Sequence, residues 1–357
     1  MKIKYIFSII AIGAFYITSC SSDQKSFNED IKIDYKQDEI FNWKNCLHIE
    51  KTILFRDSII LGFAKNCFVT EDRIIYHDYN QHNVLLFDIN GHLISILDGL
   101  GQGSQEYGEI IDLNLSYNHK SLQILDNASI LEFSTTDGKF MSRQYLDFKD
   151  QGSLRKFVNI GEKDYYFWAT HSDNSLYRYT DNKFHEFLKR NGFHFESQKF
   201  YEYPKGCINY ISDYGNTLIY SIKNDSITNK YKFYFGNYSL PKSKIPNDYK
   251  DFESIEKEPY FKNILHAYET DKWLFVQTVS PNMDLYNIIY NKDNGSILSG
   301  KQDKDFPIAI VGTYQQLFVG IVYPAYFTDK SFINILLEEN NYHDSDNPII
   351  ILFNLKI

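Results

Sequence analysis

A unit of about 45 residues repeats along most of this chain, and its tight turns mark it. Two consecutive copies are legible between Arg73 and Phe140. In each, a short apolar run ends in an Asp (Asp78, then Asp126) and a second run follows (Val84 to Ile89, then Ile130 to Phe133). A turn dipeptide closes each copy, Asn90-Gly91 and then Asp137-Gly138. Related dipeptides recur at Asp181-Asn182, Asn224-Asp225 and Asn294-Gly295, about 43–47 residues apart for the first four and about 70 for the last. Such pairs accept positive φ at both central positions of a two-residue hairpin, so each is read as joining the third and fourth strands of one unit. A period of roughly 40–50 residues with several short strands per unit is the pattern of a β-propeller.

The strand-like runs agree with that reading. VLLFDI, LISIL, DYYFWAT, LIYSI, WLFVQTV and IIILF are apolar nearly throughout instead of alternating. Such runs belong to sheets covered on both faces, as a blade is by its two neighbours. A single β-sandwich would explain the runs but not the period. The 29 Tyr and 28 Phe suit pleated, half-buried surfaces as well. Five blades are placed at about Phe63–Asp98, Ile110–Phe148, Leu154–Leu188, a fourth ending near Phe235, and Ile264–Leu298. The extra length before the fifth is an insert, 236–263, with Pro241, Pro246 and Pro259 and a short helix capped at Asn247-Asp248. The sixth blade is composite. Ile308–Tyr323 supplies two strands, Pro324–Asn341 reads as a helical or irregular excursion, and Ile349 onward supplies a third strand that lacks a partner. The segment Cys46–Phe55 is the expected fourth. The fold class is therefore an all-β, six-bladed β-propeller with four-stranded antiparallel blades, its ring closed by an N-terminal strand pairing with the C-terminal one.

Ahead of the propeller the chain changes character. Lys2 and Lys4 precede a short apolar run, Ile6 to Ile17, too short to span a bilayer of about 30 Å as a helix. Ile17-Thr18-Ser19-Cys20 resembles the bacterial lipobox, which implies a signal peptide over 1–19 and a lipidated Cys20. Ser21 after the Cys favours the outer membrane, facing the periplasm or the surface. Residues 20–44 are expected as a flexible tether, and 45–357 as the propeller. Cys46, Cys67 and Cys207 are read as small buried thiols, with a Cys46–Cys67 bridge as the alternative. A net charge of −9 without a basic cluster argues against nucleic acid as a partner.

Three stretches then take on a family likeness. They are Gly101-Gln102-Gly103-Ser104-Gln105-Glu106-Tyr107, the Asn216–Tyr220 run with its hairpin Tyr231–Phe235 followed by Gly236 and Leu240-Pro241, and the ending Asp346-Asn347-Pro348-Ile349-Ile350-Ile351. Together they resemble the six-bladed, NHL-like propeller lipoproteins of Bacteroidota, over about Asn45 to Ile357. Ser104 and Gln105 depart from the Pro and Gly usual in that family's loop. The likeness implies fold and envelope location; the family is largely without a known activity.

The candidate chemistry is sparse. Gly99, Gly101 and Gly103 lack the strand-then-helix setting of a phosphate loop and read as a blade crossover. On that crossover Glu106, Tyr107 and Glu109 are candidate binding residues, the carboxylates for a cation or sugar hydroxyl and Tyr107 for stacking. His77-Asp78 and His171 follow second-strand runs, where an Asp makes a local turn. His266 and Glu269 lack zinc spacing. Asp57-Ser58-Ile59 and Asp225-Ser226-Ile227 resemble the O-glycosylation signal of Bacteroidota, which makes Ser58 and Ser226 candidate sites. No catalytic constellation, metal set or cofactor motif is legible. The expected role is that of a binding or scaffold module for a protein or glycan partner. The alternative is a metal-dependent propeller enzyme of lactonase or lyase type, with a divalent cation in the central channel.

Overall fold

The structure, a computed structural model, describes residues 29–356 apart from 98, 151, 204–206, 224, 329 and 339–346. Three N-terminal strands come first, β1 (Glu29–Lys32), β2 (Ile40–Phe41) and β3 (Leu47–Leu54). Blade 1 is β4 (Ala64–Val69), β5 (Arg73–Asp78), β6 (Asn83–Asp88) and β7 (Leu93–Leu97). Blade 2 is β8 (Asp112–Leu115), β9 (Ser121–Asp126), β10 (Ser129–Ser134) and β11 (Phe140–Tyr145). Blade 3 is β12 (Ser153–Gly161), β13 (Asp164–Thr170), β14 (Asn174–Thr180) and β15 (Lys183–Lys189). Blade 4 is β16 (Phe200–Tyr203), β17 (Cys207–Ile211), β18 (Leu218–Lys223) and β19 (Ser226–Tyr234). A helix in the insert, α1 (Tyr249–Glu256), leads to blade 5, which is β20 (Ile264–Glu269), β21 (Trp273–Val279), β22 (Leu285–Asn291) and β23 (Ile297–Gln302). Blade 6 takes β24 (Ile308–Tyr314) and β25 (Leu317–Val322), then α2 (Lys330–Glu338) and β26 (Ile349–Leu355).

The ring closes as expected. β3 pairs antiparallel with β26, from Leu47↔Leu355 to Ile349↔Leu54, and becomes the outermost strand of blade 6. The closing strand then meets blade 1, where the Arg56 backbone N–H donates to the Gly91 carbonyl at 3.0 Å.

Six apolar clusters fill the six junctions between blades, and the strand runs show why they are continuous. Along β6, Leu85 and Phe87 face the blade 6–1 core while Val84 and Leu86 face the blade 1–2 core. Along β26, Ile350 and Leu352 face blade 1, and Ile349, Ile351 and Phe353 face blade 5. Successive side chains on a strand point to opposite faces, so a blade buried on both sides needs apolar residues at every position.

The turns lie where expected, between third and fourth strands, but their form differs. Among the dipeptides with both residues described, only Asp181-Asn182 has positive φ at both positions (51° and 59°). At Asn90-Gly91, Asp137-Gly138 and Asn294-Gly295 the glycine alone is left-handed, with φ of 87°, 72° and 73°. These are longer loops, closed by Asp88 N–H to His92 O (2.8 Å), Ser134 N–H to Lys139 O (2.8 Å) and Asn291 N–H to Ser296 O (2.9 Å). Asn224 lies outside the described residues; its partner Asp225 has φ 62°.

One expectation is corrected. Residues 29–44, read as part of a flexible tether, lie along the ring. β1 adds a parallel fifth strand to β19 of blade 4, and β2 adds one to β23 of blade 5. Ile31 and Ile33 enter the blade 4–5 core, and Phe41 and Trp43 enter the blade 5–6 core. Burial of these four apolar side chains opposes the entropy of ordering the segment. The calls on residues 1–28, including Cys20, fall outside the described residues.

Candidate functional site

Antiparallel order in each blade puts the turns between second and third strands on the same rim as the blade-to-blade connections. That rim carries every long excursion of the ring, namely the glycine-rich connection after β7, the insert before β20 and α2 between β25 and β26. It also carries exposed apolar side chains: Ile60 (79 % exposed), Phe63, Tyr79, Leu100, Met283 and Tyr326. On the turns of the opposite rim, Tyr117 alone among the described residues is a large exposed apolar side chain. Phe63 packs against Tyr323 (4.9 Å between ring centroids) and Tyr326 (5.5 Å), forming an aromatic patch at the blade 6–1 junction.

The glycine-rich connection turns out to be bound up in itself. Tyr107 is fully buried, donates from its hydroxyl to the Leu97 carbonyl at 2.9 Å and lies edge-on to Phe133, so it cannot stack on a ligand. The expectation of a stacking Tyr107 is corrected on that ground. Glu106 folds back to accept the Gly103 backbone N–H at 2.7 Å. A Cβ at Gly101 would stand 2.0 Å from the Glu106 carboxylate, so a side chain there would displace it. Arg143 clamps the loop from blade 2, donating to the Glu106 carbonyl at 2.9 Å and to the Asp126 carboxylate at 3.0 Å. Glu109 is exposed, with its backbone N–H on Asp126 at 3.3 Å.

On the same rim, a cleft of about 760 Å³ opens between blade 3 and the insert. Its walls are the β13–β14 turn (His171 to Asp173), the connection after β15 (Arg190 to His194) and the start of α1 (Asn247 to Tyr249). Rings form a ladder along one wall. His171 meets His194 at 4.1 Å, His194 meets Phe193 at 4.3 Å, and Phe193 stacks on Phe252 of α1 at 4.9 Å. Burial, with His171 and Arg190 nearby, pulls the His194 imidazole down to about 4, so it is neutral at pH 7. Tyr249 is 63 % exposed, and Asp248 caps α1 by accepting the Asp251 N–H at 2.9 Å.

A buried charge cluster holds this wall in place. Arg190 donates to the carbonyls of Ser172 (2.9 Å) and Asn174 (3.2 Å), fixing the turn that bounds the cleft. Its other end lies 3.2 Å from Asp213, which also accepts the Trp168 indole N–H at 2.8 Å and the Ser175 hydroxyl. Lys199, 3.7 Å from Asp213, lies over the Trp168 ring at 4.7 Å, and burial pulls its ammonium down to about 8. Nothing local in the sequence announces this cluster, because Trp168, Arg190, Lys199 and Asp213 come from two blades and the segment between them.

Elsewhere in the ring, buried polar groups are structural ties. Asp78 accepts three backbone N–H groups, from Gly62 (2.6 Å), Asn80 (2.8 Å) and Gln81 (3.0 Å), as the local turn reading requires. On the inner strands, Asp112 bridges to blade 3 by accepting from Lys156 Nζ and the Phe157 N–H, both at 3.1 Å. Glu269 is buried beneath Lys230 (2.8 Å), Lys292 (2.9 Å) and the Tyr231 hydroxyl (2.7 Å). No group of three His, Cys, Asp or Glu side chains among the described residues is placed to hold a metal ion. Cys46 and Cys67 are buried free thiols, both pushed up to about 12 by burial, and Cys207 is half-buried and free. Ser58 and Ser226 are both exposed; Ser226 opens β19 and donates to the Lys223 carbonyl at 2.8 Å.

Comparison with known proteins follows this architecture. A crystal structure from Bacteroides fragilis, named as a putative exported protein, superposes with a TM-score of 0.70 at 14% identity, over 92% of this chain and 99% of that one. Two others overlap loosely. One is a puromycin-hydrolyzing peptidase of Mycobacterium tuberculosis (TM-score 0.41, 8% identity, 74% of this chain and 50% of that one). The other is the WD40 domain of SCAP from fission yeast (TM-score 0.36, 9% identity, 76% and 64%). No curated protein matches the sequence. The match of residues 56–354 to the family described as a domain of unknown function, DUF4934, places this six-bladed propeller in that family.

Proposed function

We propose that this chain is a lipid-anchored envelope propeller of the outer membrane that binds a protein or glycan partner through its elaborated rim. One observation carries the reading: among the described residues, exposed apolar side chains in the turns and connections gather on the rim that bears the insert and α2, against Tyr117 on the other. Leaving such groups in water is costly, and patches of them mark interaction sites. The ring itself is stiffened by buried ties between blades, which suits a rigid platform for rim loops. Membrane attachment rests on Cys20 and its lipobox-like setting. Location in the envelope is consistent with the exported-protein name of the Bacteroides fragilis structure.

Two measurements test the two halves. Cys20→Ser is expected to abolish incorporation of a labelled fatty acid and to release the protein from washed membranes; unchanged labelling would refute the anchor. For the rim, partners are cross-linked and recovered from native membranes with the wild-type chain and with a Phe63→Ala, Tyr326→Ala variant. Recovery is expected to fall for the variant, and recovery indifferent to it, and to changes in the cleft, would refute the rim.

A further inference from the structure

We infer that the cleft between blade 3 and the insert is a subsite for a neutral sugar ring, an assignment that rests on the reading of this rim as the binding face. Three observations converge on that chemistry. The first is size and shape: about 760 Å³ lies within the range of small-molecule clefts, and the cleft is open along the rim, so an oligosaccharide can run out of it.

The second is charge. Arg190 donates to backbone carbonyls and lies in an ion pair with Asp213 at 3.2 Å, and the neighbouring imidazole of His194 is neutral at pH 7. The exposed carboxylates at the mouth of the cleft are those of Asp173 and Asp248. A phosphate or uronic acid would meet both of them at the mouth, whereas a neutral ring would not.

The third is the mix of surfaces. Tyr249 offers an exposed ring beside the Phe193 wall, and Asn247 and Asp173 offer hydrogen-bonding groups at the same mouth. A pyranose has an apolar C–H face and a rim of hydroxyls that both donate and accept, so it satisfies both kinds of surface at once. A wholly apolar ligand would strand two carboxylates, at a desolvation cost with no return.

The test uses the full mature chain, titrated by calorimetry with three neutral trisaccharides (maltotriose, cellotriose and mannotriose), with trigalacturonate and with a trilysine peptide. At least one neutral trisaccharide is expected to bind, and trigalacturonate is expected not to. Tyr249→Ala should weaken binding about tenfold and Tyr249→Phe about twofold or less, since the ring and not the hydroxyl does the stacking. Tyr249 is exposed, so an unchanged melting temperature shows that the variant is folded. Absence of binding by all three sugars, binding of trilysine alone, or indifference to Tyr249→Ala would overturn the assignment. In that event, partner recovery that still depends on Phe63 and Tyr326 leaves the rim reading standing. Recovery that depends on neither Tyr249 nor the Phe63–Tyr326 patch removes both.

Discussion

His77 lies almost wholly out of solvent on β5, with its Nδ1 and the Asn66 Oδ1 3.2 Å apart. Burial first, then the positive charge of Lys65, pulls its imidazole down to about 3. The unfolded chain, with His near 6.5, therefore binds the proton first as pH falls, and stability is lost from about pH 6.5 downward toward pH 3. At pH 5 this one group should cost about 2 kcal/mol relative to pH 7. Urea denaturation at the two pH values should show that loss in the wild type and a smaller one in His77→Gln; equal losses would remove His77 as the cause. Tyr107 gives a second check at this scale. Tyr107→Phe deletes the bond to the buried Leu97 carbonyl and should cost about 1 kcal/mol, whereas Tyr107→Ala also opens a cavity and should cost about 3–5 kcal/mol. The local role of Asp78 was legible because an Asp at a strand end bonds its own next residues. The burial of Tyr107 was not, since it depends on Phe133 from the next blade.

At the scale of single elements, the glycine-rich connection shows how a motif that suggests ligand binding serves as a brace. Gly101→Ala would push a flexible carboxylate away and forfeit the Glu106 bond to the Gly103 N–H, at about 1 kcal/mol. In a Glu106→Ala background the same change should cost close to nothing. A double-mutant cycle that finds the two additive would contradict the brace. The turn dipeptides were located correctly from sequence, yet most of their loops are longer than two residues. Gly91 shows the reason: its positive φ is local chemistry, but a Cβ there would also stand 2.0 Å from the Leu54 carbonyl of the closing strand. The Arg190 staple, and with it the wall of the cleft, joins a connection to a turn in the blade before it, a pairing that no local pattern encodes.

For the whole molecule, closure is the decisive property, and it depends on residues outside the matched family region. That region begins at residue 56, whereas β3 occupies 47–54. A chain begun at residue 56 would leave β26 as an open apolar edge; it should self-associate in light scattering, while a chain from residue 29 stays monodisperse. A monodisperse, cooperatively folding 56–357 fragment would show that the ring does not need its N-terminal strand. The sequence by itself determined the blade period, the two-faced apolar strands, the place of the turns and the composite sixth blade, because each follows from the short-range chemistry of φ preference and side-chain alternation. Only the tertiary structure decided that residues 29–44 lie on blades 4 and 5, that Tyr107 is core and that His171, Phe193 and Tyr249 share a cleft. Those outcomes depend on strand edges and surfaces that exist only once the blades have formed a ring.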